Sequence, residues 1–519
     1  MKVAIVGSGV SGLAATWLLN EHSDHTVHLY EADARPGGHA HTVSYTPPGS
    51  RNGDSVDVDT GFIVFNPSTY PNFLRLLRMH GSTRGLVTPT EMTFSVSRDG
   101  GAFEWAGKNL FAVFCQLSNL FDLGMWRMLW DVVRFNATAG KVLLEKQDGV
   151  DEEESIGQYL DREGYSLAFR DNYLIPMTAA IWSTPPDKCA MDFPARTLIQ
   201  FLHNHHLLQI TGKPSWLTLK GGSKAYVNQI LSTLPHSQLH LSTPVASITR
   251  LNASSKVLLK TEGGANEEYD HVILACHSDD AVRILRAGAG ESGSGITPDE
   301  ERILGAFRWS RNEVVLHSDV RLMPKRRQAW SCWNYLTNST IDERGRRKDN
   351  ADTFFSLNRT YGMNDLQHIP ESRYGPVLVT LNPPFQPLDE LTRGRWRYDH
   401  PVLDAKAVRA QKELPTIQGK HGVSFAGAYL RYGFHEDGFT SGLVAAAALS
   451  SLSASKTENE NENEKGTVRP PFPIEYAAQE VKWTVGRRVL AGVFDLVQDV
   501  GGWVWVVVGV LLVLFGKAG

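Results

Sequence analysis

The sequence predicts an α/β protein in which a parallel-sheet domain, assembled from three separated stretches of chain, carries an inserted α+β domain and a hydrophobic C-terminal helix. Three observations predict it. A strand, a glycine-rich turn and a helix follow one another directly within the first 23 residues. Short strand-like runs return at Leu239–Cys276 and at Val423–Ser450, the latter ending in an alanine-rich helix. The blocks between have another texture, rich in tryptophan, phenylalanine and helical spacing. The expected division is 1–75, 215–290 and 415–452 for the parallel-sheet domain, and 76–214 with 291–414 for the inserted one.

Taken in order, residues 2–6 and Val27–Glu31 read as strands on either side of a helix at Ser11–Ser23. The turn between the first strand and that helix is Gly7-Ser8-Gly9-Val10-Ser11-Gly12, a G-x-G-x-x-G. Its glycines suit a tight turn, a close backbone approach to pyrophosphate, and close helix–strand packing. The helix N-terminus then faces the anion with free N–H groups and the positive end of its dipole. Gly7, Gly9, Ser11 and Gly12 are therefore the expected pyrophosphate contacts of a Rossmann-like domain. Glu31 follows Gly12 by nineteen residues, where a carboxylate accepts both ribose hydroxyls and disfavours a 2′-phosphate. This excludes NADP from the site.

Composition narrows the rest. Hydrophobic residues make up 42% and charged residues 21%, as in ordinary globular proteins, and the net charge of −4 comes with no basic stripe, so no nucleic acid is expected. Cys115, Cys189, Cys276 and Cys332 form no C-x-x-C pair, which argues against structural zinc and a disulfide framework. The N-terminus enters the motif at once with no leader pattern, so the catalytic body is expected in the cytoplasm.

After Glu31 come Arg35-Pro36-Gly37-Gly38-His39-Ala40-His41-Thr42 and then Asp57-Val58-Asp59-Thr60-Gly61-Phe62, the latter closing an expected hairpin. With Thr243-Pro244-Val245-Ala246-Ser247-Ile248, Phe425-Ala426-Gly427-Ala428-Tyr429 and Gly433-Phe434-His435-Glu436-Asp437-Gly438, this order resembles the flavin-containing amine oxidase superfamily. The resemblance implies an FAD-binding domain of amine oxidase/glutathione-reductase-like architecture and an inserted substrate domain. It implies cofactor contacts at Glu31, Arg35, Gly37, Gly38, His39, Thr60, Gly61, Phe62, Val245, Gly427, Asp437 and Gly438. Ala428 and Tyr429 stand where monoamine oxidases carry a flavin-linking cysteine, so the implied FAD is non-covalent.

Gly37-Gly38-His39-Ala40-His41-Thr42, Asp59–Asn66, Tyr70-Pro71-Asn72 and Ile181-Trp182-Ser183 are similar to FAD/NAD(P)-binding oxidoreductases associated with cyclopropane fatty-acyl-phospholipid synthases. That branch implies a lipid or fatty-acyl substrate and a lipid-modifying enzyme as partner. His39 replaces the family's usual arginine and puts a titratable group beside the cofactor. His39, His435 and Asp59 are the candidate catalytic groups, and no amine-binding aromatic cage is evident. Three activities fit: hydride exchange between flavin N5 and a hydrophobic substrate, oxidation of an amine or polyamine by oxygen, or a non-catalytic flavoprotein role.

Three further segments remain. His203, His205 and His206 lack a carboxylate or cysteine at ligand spacing, so they read as polar residues at a helix end and no metal is expected. Phe111, Phe114, Leu117, Phe121, Met125, Trp126, Leu129, Trp130 and Val133 recur at helical spacing. They suit a core helix, the apolar wall of an acyl channel, or a surface that enters a bilayer. Residues 453–466 read as an acidic flexible linker. Residues 470–519 then read as an amphipathic helix and a membrane-anchor candidate. Its uncharged run Gly501–Gly516 would reach roughly 24 Å as a helix, against a hydrocarbon core of about 30 Å.

Overall fold

A computed structural model describes residues 1–50, 53–144, 154–182, 191–209, 214–251, 254–290, 293–341, 347–349, 358–450, 467–476, 488–494, 496–498 and 500. Strand Lys2–Val6 is the centre of a five-stranded sheet, with Thr26–Tyr30 and His271–Leu274 as its neighbours. Leu239–His240 and Val423–Phe425 are the edges, and every pair is parallel. Parallel pairing demands crossovers that cover both faces of the sheet. The unbroken apolar run Val3–Val6 meets that demand, and Val3, Ala4 and Ile5 are wholly inaccessible.

Helix Val10–Glu21 covers one face and packs along helix His435–Ala447. Their backbones touch because Gly442 has no side chain: a Cβ there would lie 2.0 Å from the Ser11 carbonyl oxygen. This contact brings the beginning and end of the parallel-sheet domain together, although 430 residues separate Ser11 from Ser441.

A four-stranded antiparallel sheet contains Asn266–Tyr269, Val257–Thr261, Val245–Leu251 and Gly293–Ser294, in that order. A seven-stranded sheet runs Thr392–Val402, Arg308–His317, Leu378–Leu381, Asn358–Gly362, Trp333–Thr337, Phe94–Arg98 and Phe103–Ala106. Its single parallel pair, Trp333–Thr337 with Phe94–Arg98, stitches the two inserted blocks of chain into one sheet. Helices Leu123–Thr138, Ile175–Trp182 and Ala195–Asn204 stand over this sheet and contribute to a separate apolar core.

One expectation needs correction, and another falls largely outside the described residues. The aromatic stripe from Phe111 to Val133 is not one helix. Asn109 caps a short helix at Leu110–Val113 and Asp122 caps a new one at Leu123–Thr138, each accepting from a first-turn backbone N–H. Nor do its residues share one fate: Met125 is buried, whereas Phe111 and Phe121 are each 86% exposed. At the C-terminus, the linker 453–466 and the uncharged run 501–516 lie outside the described residues. Among the described residues no helix is long and apolar enough to cross a membrane. Residues 488–494 and 496–498 are helical, and Phe494 rests on Trp130 at 5.0 Å between ring centroids.

Candidate active site

Gly7 closes the turn after strand Lys2–Val6, and Gly9 begins helix Val10–Glu21, whose N-terminus no side chain caps. Gly12 packs so tightly that a Cβ would lie 1.8 Å from the Gly7 carbonyl oxygen. Gly9 behaves oppositely, since a Cβ there would meet no atom within 4 Å. The turn is thus closed on its protein side and open above the helix N-terminus, the shape a pyrophosphate requires.

Glu31 stands just past strand Thr26–Tyr30. Its Oε2 accepts from the Ser8 N–H at 2.9 Å and from the Ser8 hydroxyl, and its Oε1 accepts from the Asp33 N–H at 2.9 Å. One lone pair of Oε1 is left for a ribose hydroxyl. The Ser242 and Thr243 N–H groups bond the Asp33 and Glu31 carbonyls, which brings buried Val245 to the same end of the sheet. Arg35 donates to the Gly38 carbonyl at 2.9 Å and holds the Gly37–Gly38 turn against Gly9. Gly427 donates its N–H to the Ser441 hydroxyl, and Gly438 lies against Val10 and Ser11. These contacts gather Glu31, the glycine turns and the N-terminus of helix His435–Ala447 at one end of the parallel sheet, and the chemistry of that set fits FAD.

A cavity of about 520 Å³ adjoins this end of the sheet through His39, Thr60, Gly61, Phe62 and His435. Those residues line its near end, and Val113, Leu129, Val132 and Val133 its far end. Phe62 stacks on His435 at 3.7 Å, and the Tyr226 hydroxyl meets His435 Nε2 at 2.8 Å. His39 stacks on His400 at 5.3 Å and meets the Tyr398 ring edge-on at 5.0 Å. The Tyr398 hydroxyl is held by Thr60 Oγ1 and His41 Nδ1, both at 2.7 Å.

Burial sets the charge of this cluster. It pulls His39 and His41 down to about 4, helped by repulsion from His277 and Arg35 at His39 and from Arg35 at His41. It drives His400 and His435 well below the ordinary value and pushes Tyr398 up to about 12. At neutral pH the imidazoles are uncharged and Tyr398 keeps its proton. Among the described residues lining the cavity there is no Asp, Glu, Lys or Arg.

Asp59 is a correction. Its side chain is buried behind the cavity wall, where it accepts from the Thr42 hydroxyl, the Ser223 N–H and hydroxyl, and Gln367 Nε2. Such a multiply bonded carboxylate holds segments together and is not among the residues that line the cavity. Asp437 also turns inward: it accepts from the Phe434 N–H at 3.0 Å and caps helix His435–Ala447.

Sequence reading missed Tyr398 and His400. The alternation Trp396, Tyr398, His400 between Arg395, Arg397 and Asp399 is the period-2 signal of a strand with one aromatic face, and it was there to be found. His205, expected as a polar helix end, lines the cavity instead and stacks on Phe201 at 3.9 Å.

Residues 10–287 match the family described as flavin containing amine oxidoreductase. No curated protein matches the chain. Among solved structures, the chain is similar to a CLA-producing fatty acid isomerase from P. acnes at 14% identity. That match covers 87% of this chain and 98% of the isomerase, with a TM-score of 0.56. Reduced UDP-galactopyranose mutase matches at 17% identity over 90% of this chain and 98% of the other, TM-score 0.56. A putrescine oxidase variant matches at 15% identity over 86% and 98%, TM-score 0.57. At such identities the likeness concerns the fold. The family match covers more than half of the chain and takes in helix Val10–Glu21, the double glycine and the segment Thr42–Asp59 that follows it. The chain therefore belongs to the flavin containing amine oxidoreductase family and is an FAD-dependent oxidoreductase.

Proposed function

We propose that the protein oxidises, reduces or isomerises the acyl chain of a lipid held in its cavity, and that it works at a membrane surface. The observation that carries this reading is the cavity's lining, which is mostly apolar and aromatic, with histidines and a few neutral polar residues and no charged side chain among the described residues. Each methylene transferred from water to such a lining contributes about 0.8 kcal/mol. A polyamine would instead lose the hydration of its ammonium groups with no carboxylate to replace it.

Bound FAD supplies two-electron chemistry, exchanging hydride with a substrate carbon at flavin N5. The protein's own contribution is placement and proton handling. His39 and His435, uncharged at neutral pH, stand at the near end of the cavity as weakly basic candidates for proton transfer, His435 with Nε2 already bonded to Tyr226. The Tyr226 hydroxyl fixes the His435 ring, and the surrounding aromatic walls exclude water.

The test incubates purified protein, with its flavin either oxidised or chemically reduced, with an unsaturated phosphatidylcholine in detergent micelles. Mass spectrometry should show an acyl chain altered in the number or position of its double bonds. Unaltered acyl chains under both conditions, together with peroxide release from an amine, would overturn the reading.

A further inference from the structure

Helix Leu123–Thr138 turns apolar residues to solvent. Leu123 is 81% exposed, Trp126 49% and Val133 39%, and they recur with Trp130 at helical spacing on one stripe. An exposed helix face is ordinarily polar. The preceding segment adds Leu110, Phe111, Leu117 and Phe121 to the same surface, and Phe114 packs on Trp126 at 5.3 Å.

The helical residues 488–494, 496–498 and 500 extend the patch. Phe494 and Ala491 are buried, and Phe494 sits against Trp130. Val489, Leu490, Val493, Leu496, Val497 and Val500 stay exposed. Two neighbouring helices thus show contiguous apolar stripes to water, which marks an interaction surface.

Val133 belongs both to the exposed stripe and to the lining of the cavity, and Val113, Leu129 and Val132 line the cavity from the same two helical segments. The cavity and the apolar patch therefore meet at Val133. The chain leaves Val500, on this patch, directly into Gly501–Gly516, a run without a charge that has Trp503 and Trp505 at its start and Lys517 after it. Tryptophan at one end and lysine at the other is the pattern of a segment in contact with lipid.

We propose that this face docks on a lipid bilayer and seats the mouth of the cavity among the acyl chains. An acyl substrate then enters through the Val133 side of the cavity without crossing water. Docking stands on the patch and on the sequence that follows it, whereas the entry route rests on the acyl reading given above.

The test uses the full chain and large unilamellar vesicles of phosphatidylcholine, some with brominated acyl chains. The protein should float with the vesicles, and bromine should quench Trp126, seen as a smaller quenched fraction in Trp126→Phe. The double variant Phe111→Ser with Phe121→Ser should bind roughly tenfold more weakly or worse. Its flavin spectrum and melting curve should not change, because both side chains face solvent.

Vesicle binding with equal quenching in the parent and Trp126→Phe would overturn the proposal and assign attachment to another segment. A lipid-free dimer that dissociates in the double variant would overturn it in favour of a second copy of the chain. The micelle assay involves no bilayer, so failure of the acyl reading would show there while vesicle docking still held.

Discussion

Gly9→Ala separates the cofactor assignment from the stability of the fold. Gly9 has φ −62°, which any residue adopts without strain, and its added methyl would meet no protein atom within 4 Å. The apoprotein therefore loses nothing, and a less flexible unfolded chain adds about 0.4–1 kcal/mol of stability. The methyl instead occupies the opening above the helix N-terminus where the pyrophosphate belongs. Displacing a well-packed group by one methyl costs about 1–3 kcal/mol, or roughly 5–150-fold in FAD affinity.

Gly12→Ala is the contrasting variant, since its methyl would lie 1.8 Å from a backbone oxygen that no rotamer change can move. It should lose both melting temperature and flavin. The assay is titration of apoprotein with FAD by fluorescence, beside melting curves taken without FAD. Parental FAD affinity in Gly9→Ala, or a lower apoprotein melting temperature, would refute the assignment of this turn to the pyrophosphate.

Tyr226→Phe leaves His435 buried with Nε2 unbonded and should cost about 1–3 kcal/mol, read as a lower denaturation midpoint, with slower turnover of acyl substrate. His205 is 7% exposed, and burial lowers it from 6.5 to about 4. Because the folded value lies below the unfolded one, its contribution is complete above pH 6.5 and is lost as pH falls toward 4. The loss is on the order of 3 kcal/mol, and melting curves of His205→Phe should show a weaker dependence across that window. Val133→Trp narrows the mouth of the cavity and should raise the KM for an acyl lipid severalfold while FAD affinity stays unchanged; an unchanged KM would place the entrance elsewhere.

Local periodicity made much of the parallel-sheet domain legible. Strand Val257–Thr261 lies where its alternation puts it, and Val27–Glu31 is found one residue earlier at Thr26–Tyr30. The glycine turn was readable because each glycine answers a short-range steric demand. The cavity was harder. Its histidines come from four distant segments, and nothing local to His400 shows that it will stack on His39.

Asp59 misled for a related reason. A carboxylate next to a flavin motif suggests chemistry, whereas its hydrogen-bond partners at Thr42, Ser223 and Gln367 are set by tertiary structure. The stripe from Phe111 to Val133 has helical spacing throughout, yet two capping side chains cut it. Spacing alone does not reveal which side of each piece meets water.

The hydrogen bonds around Asp59 also bear on how the chain folds. The carboxylate joins residues 17, 164 and 308 positions away, drawn from a hairpin, a turn before a helix and the end of the short helix Met363–Leu366 that follows strand Asn358–Gly362. Closing loops of that length is entropically costly before the contacts that reward it exist. This junction therefore forms late, after each segment has found its own neighbours. Asp59→Asn should refold with its early phases intact and its last phase slowed, read by stopped-flow fluorescence.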